Sequence, residues 1–232
     1  MSAIKLQSVS KYYGHGRQRV RALDNINLII KSGEFVAIHG PSGSGKSTLC
    51  NLLGLIDQPS HGHVLFSGID LKLCNDQYLS KLRGKQIGLI FQNFNLIPVL
   101  TALENVLLPL QFHGKLLPRM RTQAKDLLCK LGLVDEVHRR PLELSGGQQQ
   151  RVAIARALIT DPTVIIADEP TANLDTNNAL AIVDLMHANN RSQGTTFIFS
   201  THDARLLDRV GRKIHLNDGR IVEDTKQGQT SC

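Results

Sequence analysis

The sequence predicts an α/β fold, and three observations carry that reading. Thr163-Val164-Ile165-Ile166-Ala167 and Thr195-Thr196-Phe197-Ile198-Phe199 are apolar on both alternating faces, as strands buried inside a parallel sheet must be. Helical patterns such as residues 178–188 alternate with these strands. A third apolar strand, Glu34-Phe35-Val36-Ala37-Ile38, runs into Gly40 and a glycine-rich loop, after which Leu49, Leu52 and Leu53 fall at helical spacing.

The remaining elements follow in chain order. Ile4-Lys5-Leu6-Gln7-Ser8-Val9 alternates, and residues 22–30 do the same up to the turn Lys31-Ser32-Gly33. Val64-Leu65-Phe66 and Ile87-Gly88-Leu89-Ile90 read as two further strands. From about residue 93 to 148 strand patterns vanish and helical ones dominate, notably over 103–112 and 119–131. That stretch is expected to be a helical subdomain inserted within a single domain spanning 1–232. Strands return at Lys213-Ile214-His215-Leu216 and Ile221-Val222, and the polar tail over 224–232 is expected to fray. No internal repeat or low-complexity segment interrupts the pattern.

Composition narrows the function classes. At 232 residues the chain can build one substantial core. The longest apolar stretch, over 96–110, is broken by Pro98, Glu104, Asn105 and Pro109 and falls short of the roughly 18 residues of a membrane span. Residues 1–10 lack the apolar core of a secretory signal, so a cytoplasmic location is expected. Cys50, Cys74, Cys129 and Cys232 are scattered with no Cys-x-x-Cys pair, against both a zinc site and a disulfide framework. His61-Gly62-His63 stands isolated and reads as a loop at a strand edge rather than a metal site. The net charge of +7 would suit an anionic partner. Its basic residues lie in short groups without interleaved aromatics, so no nucleic-acid partner is expected.

Two glycine-rich segments carry the chemistry. Gly40-Pro41-Ser42-Gly43-Ser44-Gly45-Lys46-Ser47-Thr48 has the phosphate-loop pattern between a strand and a helix. Its glycines let backbone N–H groups face the β- and γ-phosphates of a nucleotide, and Lys46 adds a compact positive charge. The Ser47 hydroxyl is a hard oxygen ligand for Mg²⁺, and Thr48 is placed to donate to an α-phosphate. A second anion-facing site lies in Ser145-Gly146-Gly147, where Ser145 can cap the following helix and that helix directs its positive dipole end at the same spot. With one phosphate cradle already complete, this second site serves another molecule or another subunit.

Carboxylates and single polar residues surround these loops in the sequence. The strand ending at Ala167 delivers Asp168 and Glu169 to its C-terminal end, where acids stand beside a phosphate loop. Asp168 is placed to hold the Mg²⁺ shell, and Glu169 to orient and polarise an attacking water. Gln92 follows a strand and could contact Mg²⁺ or water; His202 follows another and could reach a γ-phosphate. Taken alone, each reads equally as an ordinary loop side chain.

The run Leu144-Ser145-Gly146-Gly147-Gln148-Gln149-Gln150-Arg151 and the phosphate loop together resemble the ATP-binding-cassette (ABC) ATPases. The resemblance covers nearly the whole chain. It implies a P-loop NTPase core with a mixed β-sheet, an N-terminal antiparallel β-subdomain and an inserted α-helical subdomain. It also implies ATP and Mg²⁺ as ligands, Gln92 as the Q-loop residue, His202 as the H-loop residue and Pro170-Thr171-Ala172-Asn173-Leu174-Asp175 as a dimer-contacting loop with Asp175 as its acid. In this family Ser145, Gly146 and Gly147 meet the γ-phosphate held by a second copy of the chain. Tyr13 occupies the place of the aromatic that stacks on adenine, with adjacent Tyr12 as the alternative, and either could instead be core.

Phe91-Gln92-Asn93-Phe94-Asn95-Leu96-Ile97-Pro98 and the segment after it are similar to the lipoprotein-release and macrolide-export subgroup. That similarity implies a separate membrane permease, a place on the inner face of the membrane, and a role in export or in lipoprotein or peptide extrusion. It also admits a periplasmic adaptor protein. A non-transport ATPase driving a cell-division or envelope-remodelling membrane partner is the alternative. The apolar segment over 94–100 is the expected permease contact, with packing between subdomains as its other reading.

Overall fold

Runs of consecutive apolar side chains in the central strands give each of them two core faces, and the two cores lie on opposite sides of one sheet. The computed structural model of the chain describes residues 2–14, 19–112, 114 and 117–226. The chain opens with β1 (Ser2–Tyr13), β2 (Val20–Lys31), β3 (Phe35–His39), α1 (Lys46–Leu53), β4 (His61–Phe66) and β5 (Ile69–Asp70). Next come α2 (Asp76–Gln86), β6 (Ile87–Ile90), α3 (Ala102–Gln111), α4 (Pro118–Lys130) and α5 (Gly146–Leu158). It closes with β7 (Val164–Ala167), α6 (Thr176–Gln193), β8 (Thr196–Thr201), α7 (Ala204–Leu207), β9 (Arg212–Asn217) and β10 (Arg220–Lys226).

The central sheet has the order β10-β9-β3-β8-β7-β6. All its neighbours are parallel except the β9–β10 pair, so the sheet is mixed. A second, antiparallel sheet has the order β2-β1-β4-β5. Val36, Ile38, Val164, Ile166 and Ile198 point into one core shared with α1 and the antiparallel sheet. Phe35, Ala37, Ile165, Ala167, Phe197 and Phe199 point into the other, where α3, α4, α5 and α6 pack. Parallel pairing of β3, β7 and β8 aligns their C-terminal ends on one edge, where α/β sheets present ligand sites.

Several elements depart from the sequence expectation. Helix α2 carries no apolar stripe, because Leu79 is its one buried residue. Its start is set instead by Asn75, whose side chain accepts from Tyr78 N–H. His61 and His63 lie within β4 rather than in a loop, with His63 Nδ1 2.7 Å from Asp70 Oδ2. The tail is ordered as far as Lys226, since β10 pairs with β9 along its length; residues 227–232, Cys232 among them, lie outside the described residues.

A cluster of charges explains that ordered end. The buried Arg212 guanidinium donates to both Asp224 oxygens at 2.8 and 2.6 Å, to Ile29 O at 2.8 Å and to Glu34 Oε2 at 2.5 Å. Lys226 Nζ donates to Glu34 Oε1 at 2.9 Å. Burial alone raises the Glu34 pKa, but donation from Lys226, from Lys31 N–H and from Arg212 overcomes it and holds the carboxyl below its ordinary 4.5. A depressed folded-state pKa stabilises the fold above pH 4.5, and that gain is lost as pH falls through the folded value. Glu34→Gln is therefore expected to lower the unfolding free energy by about 2 kcal/mol at pH 7. In urea titrations its deficit against the wild type should close progressively below pH 4.5.

Candidate functional site

The loop from β3 to α1 closes tightly against β9 and β2, and glycine is required where it does so. A Cβ on Gly40, at φ +153°, would lie 2.0 Å from Leu216 O, and one on Gly45, at φ +101°, would lie 2.5 Å from Ala22 O. Ser44 N–H donates to Pro41 O at 3.3 Å and Ser44 O accepts from Gly219 N–H at 2.9 Å, which shapes the loop into a cradle. Lys46 is buried, and its ammonium donates to Gly40 O and Pro41 O, each at 3.0 Å. Pro41, Ser42, Gly43 and Ser47 are exposed along the rim. Ser44 Oγ is buried without a partner among the described residues, so the cradle holds unspent hydrogen-bonding capacity.

The acids arrive from β7. Asp168 N–H donates to Ile90 O at 2.9 Å, which docks the strand end beside β6. Ser200, buried in β8, donates its hydroxyl to Asp168 Oδ1 at 2.6 Å and accepts from Glu169 N–H at 2.8 Å. Glu169 takes φ +45°, a conformation that non-glycine residues adopt rarely and at some cost. Its carboxylate spans the site: Oε1 lies 3.8 Å from Lys46 Nζ and Oε2 lies 2.9 Å from His202 Nδ1. The His202 side chain is 62% exposed, so its ring is both tied to Glu169 and open to a ligand. Lys46, Asp168, Glu169 and His202 thus form one constellation.

The donors available for a divalent cation are hard oxygens: the Ser47 hydroxyl, the Asp168 carboxylate and the Gln92 amide. Ser200 engages one of the two Asp168 oxygens. Among the described residues no three His, Cys, Asp or Glu side chains converge on a metal position. The donor set fits Mg²⁺ held by one carboxylate and completed by phosphate oxygens, rather than an all-protein cage. Gln92 is exposed, and its main-chain carbonyl accepts from Asn173 Nδ2 at 3.0 Å, which links the loop after β6 to the loop after β7.

Ser145, Gly146, Gly147 and Asp175 gather elsewhere. Ser145 caps α5 with a reciprocal box: Gln148 N–H donates to Ser145 Oγ at 3.3 Å, and Ser145 N–H donates to Gln148 Oε1 at 2.9 Å. A Cβ on Gly146 would lie 3.6 Å from Asn173 O, and one on Gly147 would lie 3.1 Å from Asn178 Oδ1. Asp175 caps α6, accepting from Asn178 N–H at 3.0 Å and Asn178 Nδ2 at 2.6 Å, and these bonds hold its carboxyl below the ordinary range. Among the described residues no hydrogen bond or ion pair joins Ser145, Gly146 or Gly147 to the loop holding Lys46. Their neighbours are instead Gln148, Asn173 and Asn178.

The two tyrosines separate as well. Tyr12 meets the edge of the His61 ring, with centroids 5.9 Å apart, and the Arg19 guanidinium sits 3.9 Å over its face. Tyr13 is 41% exposed, and its hydroxyl donates to Asp57 Oδ2 at 2.8 Å. Burial and the Asp57 bond raise the Tyr13 pKa, and the nearby Thr48 side chain on the first turn of α1 partly offsets them. Tyr13 is the tyrosine brought to the phosphate loop. Sequence reasoning missed the roles of Ser200, Asn173 and Asp57; Ser200 and Asp57 belong to no motif, and all three contact residues 31 or more positions away.

A family model described as ABC transporter matches residues 23–172. The lipoprotein-releasing system ATP-binding protein LolD of Anaeromyxobacter dehalogenans is 47% identical over 222 residues, covering 95% of this chain and 93% of its own. The macrolide export ATP-binding/permease protein MacB of Hyphomonas neptunium is 46% identical over 99% of this chain. This chain spans only 35% of that relative's length. The cassette MJ0796 of Methanocaldococcus jannaschii is 44% identical over 227 residues. Its dimeric structure in a post-hydrolysis state bound to ADP and Pi superposes with a TM-score of 0.90, covering 98% of this chain and 100% of that one.

Proposed function

The chain belongs to the ABC transporter ATP-binding family, and we propose that two copies clamp two ATP molecules head to tail to energise a separate membrane permease. One observation carries this reading: a single chain holds two glycine-rich segments at helix starts, with no hydrogen bond or ion pair between them among the described residues. The first is the loop from Gly40 to Thr48 with Lys46, Asp168, Glu169 and His202. The second is Ser145, Gly146 and Gly147 backed by Asp175 and Asn178. A head-to-tail pair brings the second surface of one copy over the first surface of the other, so a γ-phosphate bridges both.

Each side chain then has a definite task. Gly40, Pro41, Ser42, Gly43, Ser44 and Gly45 form the phosphate cradle, Lys46 concentrates positive charge at the β- and γ-phosphates, and Tyr13 stacks on adenine. Ser47, Asp168 and Gln92 would hold Mg²⁺, which when bound neutralises charge on the phosphate oxygens. Glu169 accepts a hydrogen bond from the attacking water and orients it, while His202 fixes the second carboxylate oxygen and faces the γ-phosphate. Hydrolysis removes the charge that bridges the copies, and the dimer is released from its closed state.

No helix among the described residues is long and apolar enough to cross a membrane. A groove of about 1100 Å³ opens among α2, β6, α3 and α5, walled by Leu89, Phe91, Phe112, Lys81, Lys85 and Arg156. Its described lining carries cations and apolar side chains but no carboxylate, which suits a permease segment with acidic and apolar residues. Asn95 of the segment over 94–100 lines it, and that segment divides in two. Arg156 donates to the Phe94 and Asn95 carbonyls and packs that end down, whereas Ile97 and Val99 remain 40% and 74% exposed. The exposed end is assigned to the permease and the anchored end to packing. In this reading the helices over 93–148 act as a subdomain that carries permease motion to Gln92. The similarity to LolD and MacB supports export or lipoprotein or peptide extrusion at the inner membrane face, and a periplasmic adaptor protein would complete such a system.

Two outcomes check this. Glu169→Gln is expected to bind ATP within about twofold of wild type yet lose at least about 100-fold in turnover, measured by phosphate release. Turnover at the normal rate would remove Glu169 from its role. Val99→Asp is expected to abolish co-sedimentation with membranes from the producing cell while ATP affinity stays unchanged. A loss of ATP affinity instead would return the exposed segment to packing.

A further inference from the structure

Asp57 lies in the turn after α1, outside every motif, yet it is the centre of a small network at the edge of the nucleotide site. Its Oδ2 accepts from the Tyr13 hydroxyl at 2.8 Å, and its Oδ1 accepts from Lys11 Nζ at 2.5 Å and from Gln58 N–H at 2.7 Å. Lys11 Nζ also donates to Gln58 O at 2.8 Å and stands 5.0 Å from the centroid of the Tyr13 ring. The Thr48 side chain, at the end of the phosphate loop, lies near the same hydroxyl. The ring is therefore held at its hydroxyl by Asp57, and an ammonium occupies one of its faces.

We infer that Asp57 is a positioning residue for base recognition: it locks the Tyr13 ring through its hydroxyl, with Lys11 covering one face, so that adenine stacks on the other. The inference rests on the reading that Tyr13 is the stacking aromatic. A phenol ring on an exposed strand end has free rotation to lose when a base binds, and a ring already tethered loses less. The carboxylate suits the task because it can accept from the phenol and the ammonium at once. Burial alone raises the Asp57 pKa, but donation from Lys11, Tyr13 and Gln58 N–H brings it below the ordinary carboxylate range, so it remains an acceptor at neutral pH.

The test uses the full chain with a fluorescent N-methylanthraniloyl ATP, and inorganic tripolyphosphate as a competitor that has no base. Tyr13→Ala, Tyr13→Phe, Asp57→Ala and the double variant Tyr13→Phe/Asp57→Ala are compared with wild type. Tyr13→Phe and Asp57→Ala should each raise the Kd for the ATP analogue about three- to tenfold, and the double variant should match the single ones. The concentration of tripolyphosphate that displaces the analogue, corrected for that Kd, should stay at the wild-type value. Weakening of ATP and tripolyphosphate alike in Asp57→Ala would mean that Asp57 supports the fold of the loop, and would overturn the inference. So would an unchanged Kd in Asp57→Ala and Tyr13→Phe alongside weakened binding in Tyr13→Ala, which leaves stacking intact. If Tyr13→Ala itself binds ATP as the wild type does, the stacking reading fails instead. Tyr13→Phe alters only a hydroxyl, so it decides the matter even if Asp57→Ala folds poorly.

Discussion

The ammonium of Lys46 is sunk beneath the surface with the carbonyls of Gly40 and Pro41 at 3.0 Å and Glu169 Oε1 at 3.8 Å, and the site is arranged around that buried charge. Removing an ammonium from water costs several kcal/mol unless oxygens replace the lost solvent. Two of those oxygens belong to the loop itself, so the loop must curl back over its own lysine. That curl is possible only because Gly40 and Gly45 carry no side chain to collide with Leu216 O and Ala22 O. The third oxygen comes from the far side of the sheet edge, from the acid that follows β7. Charge compensation thus joins two segments more than a hundred positions apart.

Glu169 answers to other demands as well. Its backbone is held at φ +45° while Ser200 binds its N–H and His202 binds its carboxylate. A residue in that conformation persists where its surroundings over-determine it. The result is a carboxylate whose position is fixed from the backbone outward, which is what the water-orienting role proposed for it would need. Ser145, Gly146 and Gly147, by contrast, are braced by Gln148, Asn173 and Asn178 and share no hydrogen bond or ion pair with the phosphate loop among the described residues.

What the sequence disclosed and what it concealed divide along physical lines. The phosphate loop, the acids after an apolar strand and the capped glycine pair were legible because their chemistry is local. Strands β3, β7 and β8 were legible because burial on both faces leaves a continuous apolar run. Helix α2 was not, since one buried leucine gives no periodicity. The end of β10 looked like a frayed tail because an edge strand is polar; Arg212, Asp224 and Lys226 order it through contacts that no local pattern reveals. Ser200 reads as a polar end to a strand, and its role comes only from parallel pairing that sets β8 beside β7. Asp57 was hidden for the same reason, being joined to Tyr13 across 44 positions.

The central claim is that catalysis needs two copies of this chain, because neither face alone surrounds a γ-phosphate. The direct measurement is the ATP hydrolysis rate per chain as the protein is diluted at saturating ATP and Mg²⁺, with light scattering on the same samples. The rate per chain should fall in step with the fraction of dimer and approach zero for the monomer. A rate per chain that stays constant while light scattering reports only monomer would contradict the account.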